Sequence, residues 1–124
     1  MGNVFIVMAG GALGSGLRYL FGRVATAIFG PDYPWGTLGV NLIGGLAMGL
    51  LAGMLMRSGG SEPVRLAVGV GVLGGFTTFS AFSLDMVTMM ERGAVASALG
   101  YALVSVIGAA VALFVGLQLT RGAA

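Results

Sequence analysis

Histidine and cysteine are absent from this chain of 124 residues, and charged residues make up only 8% of it. Their absence excludes thiol catalysis, disulfides and zinc sites of the usual Cys/His kind. The acidic residues are few and far apart in the sequence: Asp32, Glu62, Asp85 and Glu91. A catalytic pair of carboxylates therefore has little support, and we predict that the chain is not an enzyme.

Charged residues make up 8% of the chain, whereas they make up about 25% of a soluble domain. Hydrophobic residues make up 57% of the chain. The basic residues are spread along the chain without a cluster, so no nucleic-acid partner is predicted. This balance is typical of a protein embedded in a membrane, and we expect the lipid bilayer to be its surroundings.

Four hydrophobic segments are long enough to cross a bilayer, which takes about 20 residues in a helix. They cover approximately residues 4–29, 35–56, 63–90 and 94–119. Only short turn-like or polar connections separate them. Because nothing outside them is large enough to fold alone, residues 1–124 are predicted to form one all-α transmembrane domain.

The third segment has an unusual centre. The run from Gly74 to Phe82 contains paired glycines, paired threonines, a serine and three phenylalanines, inside an uncharged stretch from Leu66 to Leu84. Glycine weakens a helix, and a break at membrane depth is tolerated only where protein covers it or it lines a wet cavity. We therefore predict that the third helix is broken in mid-membrane and forms part of a pore or ion site.

The orientation of the chain in the membrane is weakly specified. The arginines divide almost evenly, with Arg57, Arg65 and Arg121 on the side of the termini and Arg18, Arg23 and Arg92 towards the other side. Lys/Arg imbalance normally sets orientation. Two alternatives stay open: the chain inserts both ways and forms an antiparallel dimer, or a weak bias fixes one orientation.

Small and polar residues recur at a spacing of four in every segment, which places them on one helix face. We interpret the glycines as packing residues. Arg18 costs about 2.5–3.5 kcal/mol at the bilayer centre, so it either snorkels to an interface or has a function. Asn41 offers two N–H donors, as an anion needs, or makes an interhelical hydrogen bond. Ser97, Tyr101 and Ser105 form a one-sided row of hydroxyls, which is weaker support.

The aromatic residues next to the predicted break suggest which ion passes. Phe79 and Phe82 are three residues apart and share a face if the helix resumes there. Ring edges carry the positive end of the aromatic quadrupole and can contact an anion. The row of small and polar residues contains no acid, which favours a small anion over a cation. Carbonyl groups freed by the break would suit a separate Na⁺ ion.

Three motifs along the whole chain resemble the Fluc/CrcB family of bacterial fluoride channels. They are Gly10-Gly11-Ala12-Leu13-Gly14 leading to Arg18-Tyr19, Gly36-Thr37-Leu38-Gly39-Val40-Asn41, and Gly74-Gly75-Phe76-Thr77-Thr78-Phe79-Ser80-Ala81-Phe82. The resemblance implies a passive channel that exports F⁻ across the inner membrane and lowers cytoplasmic fluoride. It also implies an antiparallel, dual-topology homodimer with two pores.

The resemblance also implies roles for individual residues. The fluoride pathway would include Asn41, Phe79, Phe82, Thr78, Ser80, Tyr101, Ser105 and, at the aqueous entrance, Arg18. The backbone carbonyls of Gly74 and Thr77 from both subunits would hold a structural Na⁺ at the dimer centre. Ala81 departs mildly from the Ser or Thr expected there. The hydroxyl row ends at Ala109, which has no hydroxyl.

Two other functions compete with the channel. A small four-helix, proton-coupled exporter of the multidrug type needs a titratable carboxylate inside a span, usually the first. The first span here contains Arg18 and no acid. A membrane protein whose glycines serve only packing would leave Asn41 and the predicted break unexplained.

Overall fold

The computed structural model describes residues 1–121, which are helical apart from short connections and contain no strand. The elements are α1 (Gly2–Phe29), α2 (Trp35–Ser58), α3 (Glu62–Val64), the π-helical segment π1 (Arg65–Leu73), α4 (Gly74–Phe76), α5 (Phe79–Glu91) and α6 (Val95–Arg121). Residues 122–124, which the predicted single domain includes, lie outside the described residues.

Four stretches of the chain are long and apolar enough to cross a membrane: Gly2–Phe29, Trp35–Ser58, Glu62–Glu91 and Val95–Arg121. Their ends lie within two residues of the segments that hydrophobicity predicts. The prediction of an all-helical protein with four membrane-spanning helices is thus confirmed. The third stretch is built from α3, π1, α4 and α5 in succession.

Helices α2 and α6 form the most extensive contact of the protomer, and glycines bring their backbones together. A Cβ atom added at Gly45 would lie 2.8 Å from the Ala109 carbonyl oxygen, and one at Gly49 would overlap the Leu113 carbonyl. On the opposite helix, a Cβ at Gly116 would lie 2.5 Å from the Leu46 carbonyl oxygen. Such close approach is how helices pack where lipid supplies no hydrophobic drive.

Helix α1 packs against π1 and α4 through glycines on both sides. A Cβ at Gly71 would lie 3.0 Å from the Gly10 Cα atom, and one at Gly75 would lie 2.6 Å from the Gly11 carbonyl oxygen. A Cβ at Gly14 would overlap the backbone of π1. These contacts hold the first half of the third stretch against α1. They therefore set the position in space of the end of that half.

The core of the protomer is small and lies between α2, α5 and α6. Its buried members are Leu38, Phe82, Met89, Ala98 and Tyr101. Most other large apolar side chains of the four long stretches are exposed on the protomer surface. An apolar exterior of this extent is what lipid or a second membrane-embedded chain would cover.

The α2–α6 contact predicts different effects for two glycine substitutions. Gly49→Ala is expected to lower the free energy of unfolding by about 1–3 kcal/mol, because the new methyl group overlaps the Leu113 carbonyl. Gly16→Ala is the matched control, since nothing lies within 4 Å of its added Cβ, and alanine favours a helix. Unfolding in detergent, followed by circular dichroism, measures both. Equal stability of the two variants would contradict this packing.

Candidate functional site

The third stretch is interrupted by two residues whose backbone is extended. Thr77 has φ −88° and ψ 159°, and Thr78 has φ −152° and ψ 125°. Helix α5 then begins at Phe79, and the Thr78 hydroxyl accepts a hydrogen bond from the Ala81 N–H at 3.1 Å. This is the usual N-cap role of threonine, and it explains why the helix resumes at this point.

The side chain of Asn41 binds both backbone groups of Thr78. The Thr78 N–H donates to Asn41 Oδ1 at 2.9 Å, and Asn41 Nδ2 donates to the Thr78 carbonyl at 3.0 Å. One side-chain amide on α2 therefore satisfies a donor and an acceptor of the interruption. The sequence left two interpretations of Asn41 open, and the structure shows the interhelical hydrogen bond. The Asn41 amide has two N–H groups, so one of them remains for another partner.

Two carbonyl groups at the interruption lose their usual helical donors. In a continuous helix the Thr78 N–H would bind the Gly74 carbonyl, and the Ala81 N–H would bind the Thr77 carbonyl. Here the first donates to Asn41 and the second to the Thr78 hydroxyl. The carbonyl oxygens of Gly74 and Thr77 have therefore lost these helical donors, and they are the two that the family resemblance implies for Na⁺.

Arg18 connects α1 to the same region. Its Nε atom donates to the Gly75 carbonyl at 3.1 Å in a half-buried position. Arg18 also lines a cavity of about 610 Å³, the vestibule, which lies beside the loop between α1 and α2. The charged residues that line the vestibule are Arg18, Arg23, Arg92, Asp32 and Asp85. Three arginines against two aspartates make this cavity net positive, which favours anions.

Phe79 and Phe82 lie side by side, with ring centroids 5.6 Å apart. Their surroundings differ, because Phe82 is only 7% exposed while Phe79 is 77% exposed. Both rings line a groove of about 360 Å³ on the protomer surface. The groove brings together six of the residues that the sequence singles out: Asn41, Thr77, Thr78, Phe79, Phe82 and Ser105.

Tyr101 and Ser80 are absent from the lining of this groove, whereas Ser105 is part of it. Tyr101 is fully buried, and its hydroxyl donates to Asp85 Oδ2 at 3.1 Å. Ser105 is buried, and its Oγ atom has no hydrogen-bond partner among the residues that the structure describes. Ser80 lies beside the interruption, with its hydroxyl 3.4 Å from that of Thr78.

Asp85 is a residue near the site that the sequence analysis did not single out. It lines the vestibule and accepts the hydrogen bond of Tyr101, although no acid lies in the row of small and polar residues. The spacing of three between Phe82 and Asp85 places them on one face of α5 and could have indicated this position. The groove itself has no charged residue among its described lining.

The groove can replace water around a small anion. Its lining offers the remaining N–H of Asn41, the hydroxyls of Thr78 and Ser105, and the edges of two aromatic rings. Because no fixed positive charge lies in the groove, an anion would not be trapped there, as conduction requires. The vestibule, which shares Thr78 with the groove, supplies a positive potential beside it.

Fold and site together define a small multi-pass membrane protein whose polar groups converge on an interrupted helix. The comparison with protein families identifies it further. The family model described as "CrcB-like protein, Camphor Resistance (CrcB)" matches residues 5–117. The chain belongs to the CrcB family.

Its relatives match over nearly their whole length. The fluoride-specific ion channel FluC of Mesorhizobium japonicum is 55% identical over 121 residues, or 98% of each chain. The protein of that name from Novosphingobium aromaticivorans is 53% identical over 120 residues, or 95% of each. The one from Sphingopyxis alaskensis is 53% identical over 122 residues, covering 98% of this chain and 97% of the relative.

The amide pair between Asn41 and Thr78 can be tested by removing it. Asn41→Leu is expected to lower the free energy of unfolding by about 2–4 kcal/mol, because two hydrogen bonds are lost and both backbone groups of Thr78 lose a partner. Hydrogen exchange at the Thr78 amide should accelerate in the same variant.

Ser83→Ala is the control for this experiment. The Ser83 hydroxyl donates only within its own helix, to the Phe79 carbonyl at 3.0 Å. Its loss is expected to change the free energy of unfolding by less than about 0.5 kcal/mol. Unchanged protection of the Thr78 amide in Asn41→Leu would show that the interruption does not depend on this side chain.

Proposed function

We propose that the chain is a fluoride-specific ion channel that exports F⁻ passively across the bacterial inner membrane and lowers cytoplasmic fluoride. The relatives that bear this name match it almost end to end. The structural observation that carries the proposal is the uncharged groove in which Asn41, Phe79, Phe82 and Ser105 meet. A channel of this kind is not an enzyme, because no bond of the ion is made or broken.

Fluoride is small and strongly hydrated, so its path must supply donors in place of water. The vestibule concentrates anions through its net positive charge. The ion then meets the free N–H of Asn41, the ring edges of Phe79 and Phe82, and the Ser105 hydroxyl. The missing partner of Ser105 Oγ fits this role, since a buried hydroxyl without a bond is costly until a ligand arrives.

The conducting unit is an antiparallel homodimer of two oppositely oriented copies. Thr77 and Thr78 interrupt the third stretch near its middle, and in a membrane backbone groups there could not face lipid. Gly74 is exposed on the protomer surface, and so is the ring of Phe79. A second copy would cover both and close the open side of the groove. The nearly even division of arginines permits both orientations.

A structural Na⁺ at the dimer centre fits the carbonyl groups of the interruption. Gly74 and Thr77 each offer an oxygen whose helical donor is engaged elsewhere. Two such oxygens from each subunit would form a set of oxygen ligands of the type that unwound membrane helices provide to Na⁺. When bound, the ion would neutralise the partial negative charges of these carbonyl groups.

The proton-coupled exporter has less support. Its carboxylate should lie inside a span, usually the first, but α1 contains no acid. Asp85 in α5 is bound to Tyr101 at the edge of the vestibule. The names of the relatives do not point to an exporter of that kind.

Fluoride efflux from liposomes tests the proposed function. Purified protein should release F⁻ rapidly when an ionophore balances the charge, while Cl⁻ release stays small, as ion-selective electrodes would show. Phe82→Ile and Phe79→Ile are each expected to reduce F⁻ flux by about tenfold or more, which corresponds to a barrier about 1.4 kcal/mol higher. The physical reason is the loss of ring edges from the groove.

Phe114→Ile is the matched control, because Phe114 is exposed on α6 and lies outside the groove. It should leave the flux unchanged, and all three variants should elute as dimers. No F⁻ release from a well-folded wild-type dimer would overturn the channel. Normal flux in both groove variants would remove the two rings from the pathway.

The absence of cysteine makes the dual orientation directly testable. Ser61→Cys places one thiol in the connection between α2 and α3, and Asp32→Cys places one in the opposite connection. A membrane-impermeant maleimide added to intact spheroplasts should label about half of each variant, because the arginine balance gives no preferred orientation. Complete labelling of one variant with none of the other would show a single orientation.

A further inference from the structure

Six aromatic residues form a continuous series, the aromatic ladder, from the loop between α1 and α2 to the interruption. In order they are Phe29, Trp35, Tyr33, Tyr101, Phe82 and Phe79, with successive ring centroids 5.6, 4.6, 5.6, 5.2 and 5.6 Å apart. All five distances lie in the range at which aromatic pairs attract. The ladder therefore joins a connecting loop physically to a ring that lines the groove.

Tyr33 is the member of the ladder that lies in the short loop between α1 and α2. Pro34 follows it with φ −79° and ψ 63°, and the Trp35 N–H donates to the Tyr33 carbonyl at 2.8 Å, which together make an inverse γ-turn. Pro31 fixes a second φ angle in this short loop. Burial raises the pKa of the Tyr33 phenol, so the ring stays uncharged at neutral pH.

The contact between Tyr33 and Tyr101 is directional. The two rings meet edge to face at 82°, the arrangement that the aromatic quadrupole favours. Tyr101 is fully buried and is held at its hydroxyl by Asp85. The edge-to-face contact therefore restrains the ring of Tyr101 on the loop side, and Phe82 packs against that same ring.

We propose that Tyr33 is a positioning residue for ion passage: its ring holds Tyr101, and Tyr101 in turn fixes the ring of Phe82 at the groove. This inference rests on the proposed function, and it gives the loop between α1 and α2 a role beyond connecting two helices. The burial of Phe82, in contrast to the exposure of Phe79, follows from this support.

The test compares F⁻ efflux from liposomes for Tyr33→Leu, Tyr33→Phe and the control Phe114→Leu. Loss of the ring in Tyr33→Leu should reduce flux by about threefold to tenfold, the population shift that loss of its contact with Tyr101 allows. Tyr33→Phe keeps the ring and should restore most of the flux. In a Phe82→Ile background, Tyr33→Leu should cause no further loss, because both changes act on the same ring.

A second measurement reports the ring position without ion flux. With 4-fluorophenylalanine incorporated at position 82, Tyr33→Leu should shift or broaden the ¹⁹F resonance, and Phe114→Leu should leave it unchanged. An unchanged resonance in Tyr33→Leu, or independent effects of Tyr33→Leu and Phe82→Ile on flux, would overturn the positioning role. Wild-type protein without F⁻ efflux would instead overturn the proposed function.

Folding of the variant is checked with a second ringless side chain. Tyr33→Met resembles the leucine variant in volume and should reproduce its flux and its ¹⁹F spectrum. If both ringless variants fail to form the dimer, Tyr33 has a purely structural role and the proposal is overturned.

Discussion

The amide of Asn41 is the contact on which the candidate site depends. A chain inside a membrane has no water to satisfy a freed N–H or carbonyl group, so an interruption persists only if protein supplies the partners. Asn41 supplies one of each to Thr78 with a single side chain. It thereby releases the carbonyl of Gly74 from its helical bond, and the threonine N-cap does the same for Thr77. The interruption and the loss of these two helical hydrogen bonds thus have a common origin.

Glycine contacts between the helices set the position of the interruption in the fold. On one side, α1 approaches π1 and α4 so closely that added side chains at Gly10, Gly14 or Gly75 would meet backbone atoms. On the other side, α2 lies backbone to backbone with α6, which carries Tyr101 and Ser105. Asn41 on α2 is therefore brought to Thr78 by packing rather than by local sequence. Because glycines leave no side chain between the packed backbones, polar groups from α2, the interruption and α6 lie close enough to line one groove.

The sequence predicted the four helices well, because hydrophobic runs of bilayer length and short polar connections have few other interpretations. It also singled out Asn41, Phe79, Phe82 and Ser105, which the groove brings together. It did not reveal that Asn41 binds Thr78, since such a pair depends on the register between two helices. Asp85 was missed for a similar reason: its meeting with Tyr101 is set by how α5 packs on α6. The π-helical geometry of Arg65–Leu73 had no signal in the composition.

The two phenylalanines of the groove differ in how fully the rest of the chain covers them. Phe82 is held within the protomer by Tyr101, so its position is set by intrachain contacts. Phe79 is largely exposed, and its ring contacts Phe82 on one side only. A ring so exposed at membrane depth could contact lipid without cost, but the neighbouring carbonyl of Gly74 could not. In the proposed dimer, the backbone of the interruption, more than its aromatic rings, is therefore the feature that a second copy would cover.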